Sequence, residues 1–217
     1  MDPEEARARM VERQIRARGI RDPRVLQAMQ EVPRELFVPP GQRPWAFEDG
    51  PLPIEEGQTI SQPFIVALMA EAARVAPTDR VLEVGAGSGY AAAVLGRLAA
   101  EVVAIERHPP LARAAQDRLR GMGVPNVRIV EGDGTLGLPD AAPFDAIVVS
   151  AGGPRVPEAL KAQLAPGGRL VIPVGPQGGP QDLRRVTRVG DGFEEESLGG
   201  VRFVPLIGAQ GFGGDRP

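Results

Sequence analysis

A chain of 217 residues, 42% hydrophobic and 24% charged, has ordinary globular composition and enough length to bury a sizeable core. The formal net charge is −3 and no basic block stands out, so the electrostatic footprint of a nucleic-acid binder is missing. There is no cysteine and one histidine, His108, which excludes disulfides, thiolate metal sites, cysteine nucleophiles and any multi-histidine metal site.

The first helix is signalled by Asp2 as cap, Pro3 at the first helical position, Glu4 and Glu5 in the first turn, and Gly19 as a left-handed stop. A second starts at Asp22-Pro23, carries Val25, Met29 and Val32 at helical spacing, and stops at Pro33. Residues 45–60 have no helical period, and their Gly and Pro content predicts a loop with one short strand. From residue 62 the texture alternates: helix over 62–75, strand 80–84, helix 91–100, strand 101–106, helix 111–123 and strand 127–130. Strand 144–150, helix 157–164 and strand 169–174 extend the series. Near-continuously apolar strands separated by helices predict an α/β, doubly wound, mostly parallel sheet covered on both faces. The end differs: LRRVTRV, a turn at Asp191-Gly192, FEEESL and VRFVPL (201–206) predict antiparallel additions at one side. One domain is expected, with 1–60 as a helical extension and substrate-side loop, 61–175 as a cofactor-binding core and 176–217 as C-terminal strands. No run of about 18 apolar residues occurs and the N-terminus lacks a signal-peptide core, so a cytoplasmic protein without membrane contact is expected.

The most informative segment is VLEVGAGSGY (81–90), a strand running into Gly85, Gly87 and Gly89 before a helix. Glycines turn the chain sharply and let backbone amides approach a ligand with no Cβ in the way. Tyr90 stands where a dinucleotide fingerprint places its third glycine, which argues against NAD or FAD and for an adenosine ligand without a pyrophosphate. The next strand ends at Glu106, 17 residues beyond Gly89, where a carboxylate can accept from both ribose hydroxyls. The third is followed by Asp133 and Gly134, which bring an acceptor for an exocyclic amine to the same edge, and Glu83 can neutralise an ammonium group. Each signal alone is weak: Glu106 could be a solvated strand end and Asp133-Gly134 a common turn. Their order at three successive strand ends is what makes one crevice. His108, Tyr90 and Trp45 are read as an exposed helix start and two packing or cleft-wall residues.

These residues resemble an S-adenosylmethionine-dependent methyltransferase, and GQTISQP (57–63), EVPRELFVP (31–39), APFDAIVVSAG (142–152), LAPGGRLVIPVG (164–175) and VRFVPL resemble the protein-L-isoaspartate O-methyltransferase family, a Rossmann-like fold. The resemblance spans about residues 8 to 212. It implies methyl transfer from S-adenosylmethionine, without a metal, to the free α-carboxyl of L-isoaspartyl residues, with repair proceeding through a succinimide. It further implies that Ser61 lies by the reacting carboxylate, that Thr59 and Ile60 line the site, and that Val204 and Pro205 belong to the substrate groove. The partners implied are isoaspartyl proteins and peptides, and a monomer is expected.

Two alternatives stay open. Ser61 precedes an apolar helix and could equally be its N-cap. The rival functions are methylation of a small molecule or nucleic acid, and a ligand-sensing module without turnover. Against a DNA-methylating enzyme, SAGGP (150–154) lacks the polar-Pro-Pro-aromatic pattern that holds a flipped base.

Overall fold

The computed structural model describes residues 2–213. Asp2 caps α1 (Pro3–Met10) by accepting from the Glu4 amide at 3.2 Å. The expected single helix up to Gly19 changes its winding: a π turn, Val11–Ile15, and a 3-10 turn, Arg16–Arg18, follow before Gly19 ends the run at φ 106°. Asp22 caps α2 (Pro23–Glu31), whose Val25 and Met29 are buried. The loop over 45–60 contains a minimal hairpin, β1 (Leu52–Pro53) with β2 (Thr59–Ile60), so two very short strands replace the one expected. The helix α3 (Pro63–Ala73) has Gln62, not Ser61, at its N-cap, and no side-chain cap bond.

The alternating segments follow as β3 (Arg80–Val84), α4 (Tyr90–Gly96), β4 (Glu101–Glu106), α5 (Pro109–Gly121), β5 (Val127–Glu131) and β6 (Phe144–Val149). The chain continues through α6 (Glu158–Ala162), β7 (Leu164–Val174), β8 (Gln181–Val189) and β9 (Gly192–Val201). The seven-stranded sheet has the order β5-β4-β3-β6-β7-β8-β9, parallel through β7 and antiparallel from β8 onward. This is the doubly wound arrangement expected, and the reversal between β4–β3 and β6 makes the carboxyl ends of β3 and β6 the place where a crevice opens.

Both faces of the sheet are apolar. Val81, Val102, Ala104, Ala146 and Val148 pack under the N-terminal layer with α3 and α4, while Leu82, Val84, Val103, Ile105, Ile147 and Val149 pack on the opposite layer around Leu160. Burial of each Val, Leu or Ile contributes about 1.5–3 kcal/mol, which fixes the register that puts the strand ends level. Glu83 shares its face with Val81 and lies within this interior at 0% exposure.

Three boundaries depart from the sequence reading. Helix α4 stops at Gly96, and α6 is a short Glu158–Ala162 because Leu164 already begins a long β7. The VRFVPL segment is not an antiparallel strand: the sheet ends at Val201, and Pro205, which has no N–H, cannot continue a ladder. The chain folds back instead, with the Gly152 amide donating to Val204 O at 2.8 Å and the Leu206 amide to Gly152 O at 2.7 Å. Among the described residues no helix is long and apolar enough to cross a membrane.

Candidate active site

The glycine loop leaves β3 with Gly85, Gly87 and Gly89 at φ 88°, 52° and 85°, a left-handed backbone that L side chains rarely adopt. A Cβ at Gly89 would meet the Ala115 Cβ at 3.2 Å, so this glycine lets α4 start close against α5. Arg118 on α5 fixes the same turn, donating to the Ser88 carbonyl at 2.6 Å. Tyr90 is 1% exposed and packs edge-on to Phe37 with ring centroids 5.5 Å apart, so it is a core residue.

Glu106 joins the loop to the next turn. One carboxylate oxygen accepts from the Gly87 amide at 2.8 Å and the other from the His108 amide at 2.9 Å. A carboxylate oxygen has two acceptor sites, so each retains one for a ligand hydroxyl. Asp133 is more fully committed: it accepts from the Thr135 amide and hydroxyl at 2.9 and 2.7 Å and from the Ala209 amide at 2.8 Å. Burial pushes its pKa up, but the bonds from Thr135 and Ala209, with Arg107 nearby, outweigh it and hold the carboxyl below its ordinary value.

A cleft opens over these strand ends. It is lined by Gly85, Gly87, Glu106, His108 and Gly134 at the strand ends, by Ser150 beside Gly85, and by Gln58, Thr59, Val204 and Pro205. A smaller cavity continues it, sharing Thr59, Gly85, Gly87 and Ser150 and adding Ile60, Ser61 and Glu83. Gly134 must be glycine, because a Cβ there would sit 2.4 Å from Val84 Cγ1. The structure thus brings together ten of the twelve sequence-predicted residues. Gly89 and Asp133 line neither space: the first serves helix packing, and the second stands behind Gly134, tied to the C-terminal segment.

The cavity holds an orphaned group. Glu83 accepts from the Ser150 hydroxyl at 3.1 Å through one oxygen, and its other oxygen, fully buried, has no partner among the described residues. Burial raises its pKa to about 8; the Ser150 bond opposes the shift and the Glu106 charge adds to it. An ammonium group would satisfy that oxygen. Ligands with a ribose, an amino acid head and no pyrophosphate therefore fit the donor and acceptor set, and Gly85 and Gly87 leave space for backbone approach.

Two residues were missed by the sequence reading. Ser150 borders both spaces, and its only signal is its place at the end of the fourth strand of the series. His108 is at a helix start but not on the open surface, since its side chain is 25% exposed, lines the cleft and faces Glu56, Nδ1 to Oε2 3.9 Å.

The sequence profile of protein-L-isoaspartate(D-aspartate) O-methyltransferase matches residues 5–211. The chain belongs to that family. A protein-L-isoaspartate O-methyltransferase of Methylorubrum extorquens is 62% identical over 207 residues, 95% of this chain and 90% of the relative. Another, from Pelobacter propionicus, is 58% identical over 204 residues, 94% and 91% of the two chains. Among solved structures, one titled protein-L-isoaspartate O-methyltransferase superposes with TM-score 0.85 at 30% identity, over 94% of this chain and 67% of that one. A Plasmodium falciparum structure titled as a putative member in complex with S-adenosyl-L-homocysteine gives 0.80 at 25% identity, over 93% and 98%. Isoaspartate O-methyltransferases thus share both the sequence and the fold of this chain.

Proposed function

We propose that the cleft and its adjoining cavity form one active site, in which a methyl group passes from S-adenosylmethionine to the α-carboxylate of an L-isoaspartyl residue in a damaged protein or peptide. The chain is an S-adenosylmethionine-dependent protein-L-isoaspartate O-methyltransferase. The methyl ester closes to a succinimide, whose hydrolysis returns part of the damage to a normal aspartyl linkage.

The observation that carries the assignment of the site is the unpartnered oxygen of Glu83, buried beside Ser61 and Ser150. Glu83 would hold the ammonium group of the cofactor and Glu106 its ribose hydroxyls. Gly85 and Gly87 would let its chain lie against the backbone, with Gly89 starting the helix behind them. Asp133 would close the adenine end with Gly134, through its hold on that turn and on Ala209. Thr59, Ile60 and Ser61 would face the substrate from one side, Val204 and Pro205 from the other. When bound, the cofactor supplies an electrophilic methyl carbon on a positively charged sulfur.

The nucleophile is the carboxylate of the substrate, already ionised at neutral pH, so no side chain has to remove a proton. Ser61 accordingly serves as a hydrogen-bond donor that orients the carboxylate. Its hydroxyl makes no hydrogen bond with another described residue and is free to do so. Alignment and exclusion of water can supply about 7–11 kcal/mol of the barrier reduction. Titration calorimetry with S-adenosylhomocysteine and with NAD tests the cofactor assignment: tight binding of the first and none of the second is expected, and preferred binding of NAD contradicts it.

A further inference from the structure

We propose that the groove between α1 and the 3-10 turn Pro40–Trp45 docks an acidic segment of the protein substrate, outside the active site. The proposal rests on the isoaspartyl reading given above. The groove encloses about 860 Å³. Its walls are apolar, with Met10, Leu36 and Phe47 among them, and Leu36 stands 42% exposed. Three exposed arginines, Arg9, Arg13 and Arg43, rim it.

The charge of that rim is unusual for this chain, which is acidic overall. Among the described residues none of the three arginines is in an ion pair, whereas their neighbours are: Arg7 holds Glu35 at 2.8 Å and Arg16 holds Glu12 at 3.0 Å. Glu35 is thus neutralised from within, and among the described residues Glu48 is the one other carboxylate at the rim. Free guanidinium groups around an apolar floor complement an extended peptide that carries carboxylates beside a hydrophobic side chain.

The groove is also coupled to the active site. Gln14, in its wall, donates to Phe47 O at 2.8 Å, and two residues later Asp49 accepts from Gln62 Nε2 at 2.6 Å, next to Ser61. Two backbone steps, the bonded side-chain pair and one further step place the Phe47 rim within about 20 Å of Ser61, a span that about six extended residues cover. A substrate whose damaged residue is at Ser61 can therefore reach the Phe47 end of the groove with a segment about six residues away.

The test uses isoaspartyl peptides that carry, about six residues to either side of the isoaspartate, an Asp-Glu-Leu-Glu tail or its Asn-Gln-Leu-Gln counterpart. For wild-type enzyme the acidic tail should lower KM about tenfold at unchanged kcat on one of the two sides, an advantage that fades as salt is raised. The surface variant Arg9→Gln/Arg13→Gln/Arg43→Gln should lose that advantage and still turn over a tail-less isoaspartyl peptide at the wild-type rate. Fluorescence anisotropy of the tail alone, with no isoaspartate, reads docking independently of turnover, so failure of the activity and failure of the docking are distinguishable. Equal KM for both tails, or an advantage that survives in the triple variant, overturns the proposal. A concentration-dependent dimer in sedimentation, abolished by the triple variant and unaffected by the tail, would overturn it too, by assigning the groove to a second copy.

Discussion

The Glu83 carboxylate accepts from the Ser150 hydroxyl at 3.1 Å and leaves its second oxygen with no partner among the described residues, at 0% exposure. A carboxyl in that position is held protonated by burial, with a pKa of about 8 against an ordinary 4.5. The folded state then binds more protons than the unfolded state between pH 4.5 and about 8, so the contribution of Glu83 to stability falls as pH rises through that window. Melting temperature measured against pH should decline more steeply over this range for the wild type than for Glu83→Gln. Parallel curves would place the Glu83 pKa back in the ordinary range.

The same carboxyl links cofactor binding to protons. An ammonium ligand needs the ionised form, so at pH 6.5 binding of S-adenosylhomocysteine should expel up to one proton per site. Calorimetry in buffers of different ionisation enthalpy reads this directly. Buffer dependence should be present in the wild type and much reduced in Glu83→Gln; equal dependence in both removes Glu83 from the ammonium site.

Ser61 is released from the capping role that its position suggested. Because Gln62, not Ser61, is the N-cap and the helix has no side-chain cap bond, Ser61→Ala should change stability by no more than about 0.5 kcal/mol. Loss of a hydrogen bond to a charged substrate, about 1.5–3 kcal/mol, should lower kcat/KM about 10- to 150-fold. Ser61→Asp should be worse, since it faces an anionic substrate with a negative charge. A loss of melting temperature with intact turnover in Ser61→Ala would reverse the two roles.

Glu106 has a double part, binding a ligand and tying two amides. Glu106→Ala should weaken S-adenosylhomocysteine binding by about 1–3 kcal/mol and also lower the melting temperature, because the Gly87 and His108 amides lose their acceptor. Glu106→Gln keeps an acceptor oxygen and should fall between. Unaltered affinity in the alanine variant would put the ribose elsewhere.

His108 borders the cleft, so a catalytic part for it is a real alternative, and the pH profile decides it. Activity of His108→Gln between pH 5 and 8 should follow the wild type, because a carboxylate nucleophile needs no base. An acid limb that disappears in the variant would show a proton being removed from the acceptor.

The strands that build the site were legible because each is a short, largely apolar run: 80–84 and 101–106 lie where the pattern puts them, and 127–131 and 144–149 end within one residue of it, although 127–131, at the sheet edge, is only partly buried. Chain order at the carboxyl edge then located Gly85, Gly87, Glu106 and Gly134. What local pattern could not reveal depends on contacts between distant segments. Asp133 is taken by Ala209, 76 residues on, and VRFVPL leaves the sheet to meet Gly152. Ser61 looked like a cap because a proline-led helix follows, but that helix starts one residue too late for it. His108 looked exposed because its sequence neighbours are, while Glu56, from the hairpin that also carries Thr59, approaches its ring at 3.9 Å.

The most direct measurement is methanol release from two synthetic peptides of one sequence, incubated with the enzyme and S-adenosylmethionine, the first with an L-isoaspartyl linkage and the second with a normal aspartyl linkage. The carboxylates differ in position and scarcely in chemistry, so only a site shaped for the isoaspartyl α-carboxylate separates them. Methylation of the isoaspartyl peptide, with methanol appearing as the ester closes to the succinimide, and none from its twin, is the predicted result. Equal methylation of both, or of neither while S-adenosylmethionine binds tightly, would contradict it.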